Sequence, residues 1–331
     1  MRAVQFERYG PPEVLQHVGL PVPVPKDNEI LIRVYATTVT AADRRLRSLD
    51  LPRGFKLIMQ LAVGFKGPRK PAVTSMELAG RVAAVGRTVK RFAVGDDVFA
   101  FDPRMGACAE YKCMPEDGAV MPKPPNLSYG EAAALSFGGT TALSYLQRGK
   151  LERGQKLLVV GASGGVGTAA VQLGAKYFGA EVTGVCSTAN LELVESLGAY
   201  RVIDYSREDF SRNGEQYDVI MDTVGTAPFA RAKQSLKAGG RLLQVVGTFG
   251  DLLKAPWLSW TTGHRIVIAP ASVGPLPLVA ELAGKGIFQP YIDRRYPFEQ
   301  IVEAHRYVDT KRKRGNVIID LIPDEPREPV Q

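Results

Sequence analysis

The stretch Gly161-Ala162-Ser163-Gly164-Gly165-Val166-Gly167 constrains this chain more than any other, because of what flanks it. Lys156 to Val160 before it is a short apolar run that predicts a strand. Thr168 to Tyr177 after it carries the small and apolar residues of a helix. Strand, glycine turn and helix in that order are the context of a dinucleotide site. A helix N-terminus presents unpaired N–H groups and a partial positive charge, which attract a pyrophosphate. Glycines let the backbone approach that anion with no Cβ in the way. Gly161, Gly164 and Gly167 stand three apart with Gly165 added, one residue longer than the G-x-G-x-x-G spacing. By themselves these glycines fit equally well a tight turn that packs helix on strand and binds nothing.

The residues beyond Tyr177 decide between the two. Glu181–Cys186, Arg201–Tyr205, Asp218–Asp222, Arg241–Val246 and Arg265–Ala269 are further short apolar runs bounded by turn signals. Leu191 to Leu197 reads as a helix closed by Gly198. Six such strands with helical crossovers predict a doubly wound parallel sheet whose ligand lies at the strands' carboxyl ends. An NAD-type site carries Asp or Glu at the end of the second strand, for the ribose 2′-OH. Here that stretch is Cys186-Ser187-Thr188-Ala189-Asn190, with no acid between Glu181 and Glu192. Ser187 and Thr188 donate to a 2′-phosphate and no carboxylate repels it, so NADP(H) is expected over NAD(H). The same hydroxyls also suit a helix cap. The loop has no Arg or Lys to clamp the phosphate. Tyr205 is a further contact or simply an exposed tyrosine.

The first 120 residues read differently. Val4–Phe6, Glu29–Tyr35, Gly80–Val85, Asp97–Ala100 and Cys108–Cys113 are short strands between Pro- and Gly-rich turns, an antiparallel, barrel-like pattern. Pro122-Lys123-Pro124-Pro125 reads as a boundary, and Ser128 to Glu131 opens a helix with a capping box. Past the sixth strand, Pro297 to Asp309 is an amphipathic helix with Ile301, Val302 and Val308 inward, and Val317 to Leu321 a last strand. That tail is expected back on the first domain. The expected organisation is residues 1–123 with 288–331, and an inserted nucleotide domain at 124–287, with the active site in the cleft between them.

Composition excludes other classes. At 45% apolar and 23% charged, the chain reads as an ordinary soluble globular protein. Cys108, Cys113 and Cys186 form no C-x-x-C pair, so neither a disulfide framework nor a four-cysteine zinc lobe is expected. No signal peptide is read before the first strand and no apolar run is long enough to span a membrane, so a cytoplasmic protein is expected. The net charge of +8 comes from scattered residues: Arg44, Arg45 and Arg47; Lys66, Arg69 and Lys70; and one run, Lys311 to Arg314. These read as solvated surface or the neighbours of an anionic cofactor, and nucleic acid is not an expected partner.

The ordered set of motifs resembles the medium-chain dehydrogenases/reductases, in their zinc-independent quinone-oxidoreductase-like branch, over essentially the whole length. The matching pieces are Tyr9 to Leu15; Met76 to Gly80 with Val85-Gly86; Phe92 to Val98; Gly138 to Ala142; the glycine turn; Asp218 to Gly225; Ala238-Gly239-Gly240; and Gly315 to Ile318. The resemblance implies an α/β protein with a GroES-like β-barrel domain and an inserted Rossmann sheet, NAD(P)H use and frequent oligomers, here expected as a homodimer. Zinc-dependent relatives carry a Cys after the second barrel strand and Gly-His-Glu before the Ala-Gly pair. Here those regions read Thr38-Val39-Thr40-Ala41-Ala42-Asp43 and Thr74-Ser75-Met76-Glu77. His17, His264 and His305 lie far from both and read as surface or satisfied core residues, so no metal is expected.

Without a Lewis acid, a conjugated acceptor is the easier substrate, because hydride added to an enone or quinone moves charge onto an oxygen that hydrogen bonds can hold. A small apolar electrophile is the expected partner. Two alternatives stand beside this reading: a zinc-free alcohol dehydrogenase or ketone reductase, and a nucleotide-binding protein that acts without turnover through RNA or protein partners. The candidate catalytic residues are Thr40, Asp43 and Thr141. Asp43 also suits a pairing with Arg44, Arg45 or Arg47, or a helix cap; Thr40 suits capping; Thr141 suits a hydroxyl bonded inside a helix. The candidate cofactor residues are Gly161, Ala162, Ser163, Gly164, Gly165, Val166 and Gly167 with Ser187, Thr188, Tyr205, Val224, Val246 and Asn316. Asn316 stands where a Lys or His is common in the resembling proteins. Leu51, Phe55, Ile58, Met59, Ala62 and Phe65 fall on one helical face, which reads as packing against the barrel, a lid, an oligomer contact or a surface helix on lipid.

Overall fold

The computed structural model describes residues 1–269 and 274–322. Strands β1 (Arg2–Phe6), β2 (Gln16–Gly19) and β3 (Glu29–Thr38) lead to helices α1 (Ala41–Ser48) and α2 (Phe55–Val63). Then come β4 (Ala72–Val73), β5 (Glu77–Val85), β6 (Asp97–Phe101), β7 (Tyr111–Pro115) and β8 (Val120–Pro122). Helices α3 (Tyr129–Ala133) and α4 (Ser136–Arg148) precede β9 (Lys156–Val160), α5 (Gly165–Gln172), β10 (Glu181–Cys186), α6 (Leu191–Ser196), β11 (Arg201–Asp204) and β12 (Tyr217–Asp222). The chain continues through α7 (Phe229–Ala232), β13 (Leu236–Gln244), α8 (Phe249–Thr262), β14 (Arg265–Val267), α9 (Leu276–Gly284), β15 (Ile292–Pro297), α10 (Ile301–Asp309) and β16 (Asn316–Asp320).

Two compact units result: residues 1–49, 63–136 and 292–331, and residues 50–62 with 137–291. The first holds a seven-stranded sheet, in the order β15-β16-β3-β5-β6-β8 with β7 on β3, and a three-stranded sheet β2-β1-β4. All its pairings are antiparallel except β15 with β16. Strand β16 pairs with β3, which returns the chain's tail to the first unit. The core includes Ile30, Ile32 and Val34 of β3, Leu78 and Val82 of β5, and Ile301 and Val308 of α10. Val302 packs on that core only partly buried. The strand expected at Cys108–Cys113 lies at Tyr111–Pro115, because the Cys108 amide and carbonyl bond instead to Thr74 and Val4.

The second unit is a six-stranded parallel sheet in the order β11-β10-β9-β12-β13-β14. Numbered from β9, this is the 3-2-1-4-5-6 order of a doubly wound nucleotide sheet. Its strands are buried on both faces, as Leu157, Leu158, Val159, Val219 and Ile220 show. Three expected strands are trimmed: β11 ends before Tyr205, β13 before Val246 and β14 before Ala269. Helix α5 starts three residues earlier than the apolar spacing indicates, inside the glycine turn, and runs into a π-turn at Leu173–Tyr177.

The unit boundaries differ from the 123/124 and 287/288 positions read from the proline run and the glycines. Helix α3 stays with the first unit because the Tyr129 ring stacks on Tyr35 at 4.3 Å and its hydroxyl donates to Asp97. Residues 50–62 join the second unit because the Phe249 amide donates to the Arg53 carbonyl at 3.0 Å and the Phe55 and Phe249 rings meet edge-on. Packing of 51–65 against the barrel holds only at its end, where the Tyr9 hydroxyl donates to the Gly64 carbonyl; α2 has no buried residue, and its exposed side chains include Leu57 and Leu61, off the expected face.

Candidate active site

At the end of β9 the chain turns through Gly161, whose φ of +81° favours glycine. The Gly161 and Ala162 amides donate to Val185 of β10 at 3.1 and 3.0 Å, so the turn is anchored to the neighbouring strand. Helix α5 has Gly164 as its N-cap, with no side chain bonded to the cap. A Cβ on Gly167 would stand 2.1 Å from the Gly161 oxygen, so this glycine allows helix and turn to touch. A Cβ on Gly164 would meet nothing nearer than 3.6 Å. The helix N-terminus therefore opens onto free space lined by bare backbone, a fit for a pyrophosphate.

The loop after β10 is tied to this turn. Asn190 Nδ2 donates to both Ser163 Oγ and Ser187 Oγ at 3.1 Å. Thr188 Oγ1 donates to Asp204 at 2.5 Å. The tertiary structure thus brings a carboxylate from the end of β11 to the place where the sequence has none, correcting the expectation of an acid-free site. Its charge is well occupied: Asp204 also accepts from the Ser206 amide and hydroxyl, and Arg207 Nε lies 3.7 Å away. The Thr188 and Ser206 hydroxyl bonds are the main cause holding its carboxyl below the usual range. Arg207 likewise supplies the basic residue missing from the loop itself.

Tyr205 and Val224 are exposed beyond β11 and β12, and Val246 lies past the end of β13. Buried Asp222 shapes the loop carrying Val224, accepting from the amides of Val224, Gly225 and Ala227 at 3.0, 2.8 and 2.7 Å. In α4, the Thr141 hydroxyl is buried with no hydrogen-bond partner among the described residues, so the alternative of a bond inside the helix is not formed.

The first unit holds a second polar cluster. Thr40 is the N-cap of α1: its Oγ1 accepts from the Ala42 and Asp43 amides at 3.2 Å, while Asp43 Oδ2 accepts from the Thr40 amide and hydroxyl at 2.7 and 2.6 Å. Asp43 therefore caps the helix. Its Oδ1 is buried and unpartnered among the described residues, and burial pushes its carboxyl up to about 6. Thr38 donates to buried Glu77, and the neighbouring Thr74 and Ser75 hydroxyls are buried without partners among the described residues, Ser75 at a φ of +68°. Burial lowers the Lys313 ammonium to about 8, against the opposing pull of Glu77, Asp293 and Asp43. Asn316 is buried at the start of β16 in this same unit.

Of the basic residues read as solvated surface, Arg47 is interior and Lys313 half-buried. Lys313 belongs to the polar cluster. Arg47 is 0% exposed, bonded to Gly10, His305 and both oxygens of Asp309. Sequence reasoning missed Lys313, Asp204, Arg207 and Asp222. Asp222 alone carries a local signal, an acid closing an apolar strand ahead of Thr-Val-Gly.

Three kinds of relative match this geometry. The alcohol dehydrogenase GroES-like domain family matches residues 26–143, and the zinc-binding dehydrogenase family matches 197–319. Among the described residues, no group of three or more His, Cys, Asp or Glu side chains is placed to hold a metal ion, so the donor set does not fit the zinc that the second description implies. The chain is 32% identical to 2-methylene-furan-3-one reductase of Solanum lycopersicum, over 98% of this chain and 80% of that one. It is 29% identical to the chloroplastic NADPH-dependent alkenal/one oxidoreductase of Arabidopsis thaliana, over 98% and 80%. The structure superposes on the quinone oxidoreductase from Coxiella burnetii with a TM-score of 0.85 at 26% identity, covering 97% and 99% of the two chains.

Proposed function

The chain belongs to the medium-chain dehydrogenase/reductase family and is an oxidoreductase, and on that premise we propose that it reduces quinones or enones with NADPH and without zinc. The observation that carries this reading is the bare N-terminus of α5, where a glycine cap faces open space at the carboxyl ends of the parallel strands. When bound there, NADPH supplies a hydride. The relatives named for an enone substrate, an alkenal and a quinone support the acceptor class.

The chain's own residues then have three tasks. Ser187 and Arg207 bind the 2′-phosphate, with the Asp204 charge held by the Thr188 and Ser206 donors and by Arg207. Tyr205, Val224 and Val246 line the dinucleotide, and the unpartnered Thr141 hydroxyl meets the nicotinamide end. Thr40 and Asp43 hold each other in the α1 capping box, so the charge that develops on the acceptor oxygen falls to Lys313. Lys313, with a pKa brought near neutrality, delivers the proton that completes the reduction.

NADPH oxidation is measured with a small quinone, an enone and the matching saturated ketone. Turnover of the first two alone is expected. Equal turnover of the saturated ketone overturns the acceptor class in favour of a ketone reductase. Tight NADPH binding with no turnover on any acceptor overturns the enzyme reading in favour of a nucleotide-binding role. Arg207→Ala is expected to weaken NADPH about tenfold and to leave NADH unchanged; equal weakening of both overturns the phosphate assignment.

A further inference from the structure

The turn that joins α10 to β16 is held by a residue from outside it. Strand β15 lies parallel to β16, and its register slips between Ile292 and Arg294, so Asp293 is an extra residue in the ladder. A bulge of this kind bends the strand and re-aims the side chain it carries. The Asp293 carboxylate reaches the turn after α10, and its side chain is only 2% exposed. There Oδ2 accepts from the Arg314 amide at 2.8 Å and from the Tyr307 hydroxyl at 2.6 Å, and Oδ1 faces Arg314 Nε at 3.4 Å. Lys311 in the same turn stands at a φ of +60°. A non-glycine residue keeps that conformation only where its surroundings fix it.

The turn presents Lys313. Fixing the Arg314 amide fixes the peptide that leaves Lys313, and the Lys313 ammonium closes the turn by donating to the Gly315 carbonyl. The carboxylates that pull on this ammonium come from three elements: Glu77 of β5, held by Thr38, Asp293 of β15 and Asp43 of α1. Two neighbouring cations also draw on Asp293: Arg314, and Arg294, which lies over the Tyr307 ring. Asp293 therefore joins charge to position, since the carboxylate that favours the ammonium also bonds the adjoining amide. We propose that Asp293 is a positioning residue for the proton step: it fixes the turn that presents Lys313 and supplies part of the negative charge that favours its ammonium. This role rests on the reading of Lys313 as the proton donor. In each turnover one N–H bond of the ammonium breaks as a bond to hydrogen forms on the acceptor that has received the hydride. The neutral amine takes its next proton from water.

Steady-state reduction of a small enone by the full chain is followed from neutral to alkaline pH, with thermal melts alongside. The donor works as the ammonium, so kcat/KM of the parent falls as pH rises through about 8, where burial places Lys313. Asp293→Asn keeps the side chain's size and removes its charge. It is expected to move that fall about one pH unit lower, because an ammonium deprived of an opposite charge gives up its proton more readily. Arg314→Gln, at an exposed side chain, removes a cation that competes for Asp293 and is expected to move the fall to higher pH. Lys313→Met is expected to lose about 100-fold or more in kcat. Activity lowered equally at every pH by Asp293→Asn, with the fall left in place, overturns the proposal and leaves Asp293 a structural residue. Should Asp293→Asn fail to fold, a fall that Arg314→Gln leaves at the parent pH overturns it as well. Parental turnover and pH profile in Lys313→Met instead remove the proton-donor reading, so failure of the premise is told apart from failure of the positioning role.

Discussion

Arg44, Arg45 and Arg47 are indistinguishable in the sequence, yet only Arg47 is sealed inside, between Gly10, His305 and Asp309. Helical geometry turns Arg45, two positions away, to the opposite face, whereas Arg44, three positions away, shares the side of Arg47 and is only half-buried. Removing one partner leaves the other charge partly buried, so Arg47→Met is expected to cost about 3 kcal/mol in chemical denaturation. An unchanged midpoint and slope would refute the buried pairing. Burial, with the Arg47 charge beside it, lowers His305 to about 3, so it is neutral in the fold. The unfolded chain takes up that proton below 6.5, so stability present above 6.5 is lost as pH falls toward about 3, at up to about 1.4 kcal/mol per pH unit. His305→Gln is expected to remove this slope in a pH series of denaturation curves. Asp43 acts with the opposite sign. Its carboxyl is raised from 3.8 to about 6, so the folded chain keeps a proton that the unfolded chain has released. Stability therefore falls as pH rises through that window, and Asp43→Asn is expected to flatten it.

At the scale of elements, the glycine turn was legible because its function and its local geometry demand the same residues. The roles of Gly167 and Gly164 separate experimentally. Gly167→Ala drives a Cβ into the Gly161 oxygen and is expected to lower the melting temperature. Gly164→Ala places its Cβ in open space and is expected to leave the melt unchanged while weakening NADPH about tenfold or more. Fluorescence titration beside thermal melts tests both, and a Gly164→Ala chain with parental affinity would remove the pyrophosphate from that cap. The capping box read at Ser128 and Glu131 forms as the pattern indicates, since it needs only neighbours along the chain. The placement of α2 was not legible. The sequence shows one apolar face, but Leu57 and Leu61 lie off it, and the tether to α8 joins residues far apart in sequence.

For the molecule as a whole, metal chemistry is the sharpest global test of the proposed mechanism. Dialysis against a chelator is expected to leave melting temperature and turnover unchanged, with zinc well below stoichiometry by elemental analysis; stoichiometric zinc whose removal abolishes turnover would contradict the reading. The alternation of short apolar runs with helices was enough to establish a parallel six-stranded sheet, because strands buried on both faces read as near-continuous apolar runs bounded by turn residues. The motif series was likewise enough for the family. Side-chain electrostatics lay beyond it. Asp204 reaches Thr188 because β11 lies beside β10. Lys313 acquires its depressed pKa from burial that outweighs the pull of Glu77, Asp293 and Asp43. Trp257 and Trp260 stay exposed because nothing among the described residues of the second unit covers that face of α8. Local pattern follows from backbone periodicity and is written along the chain. Burial and charge environment arise from residues distant in sequence, and only the packed structure brings those together.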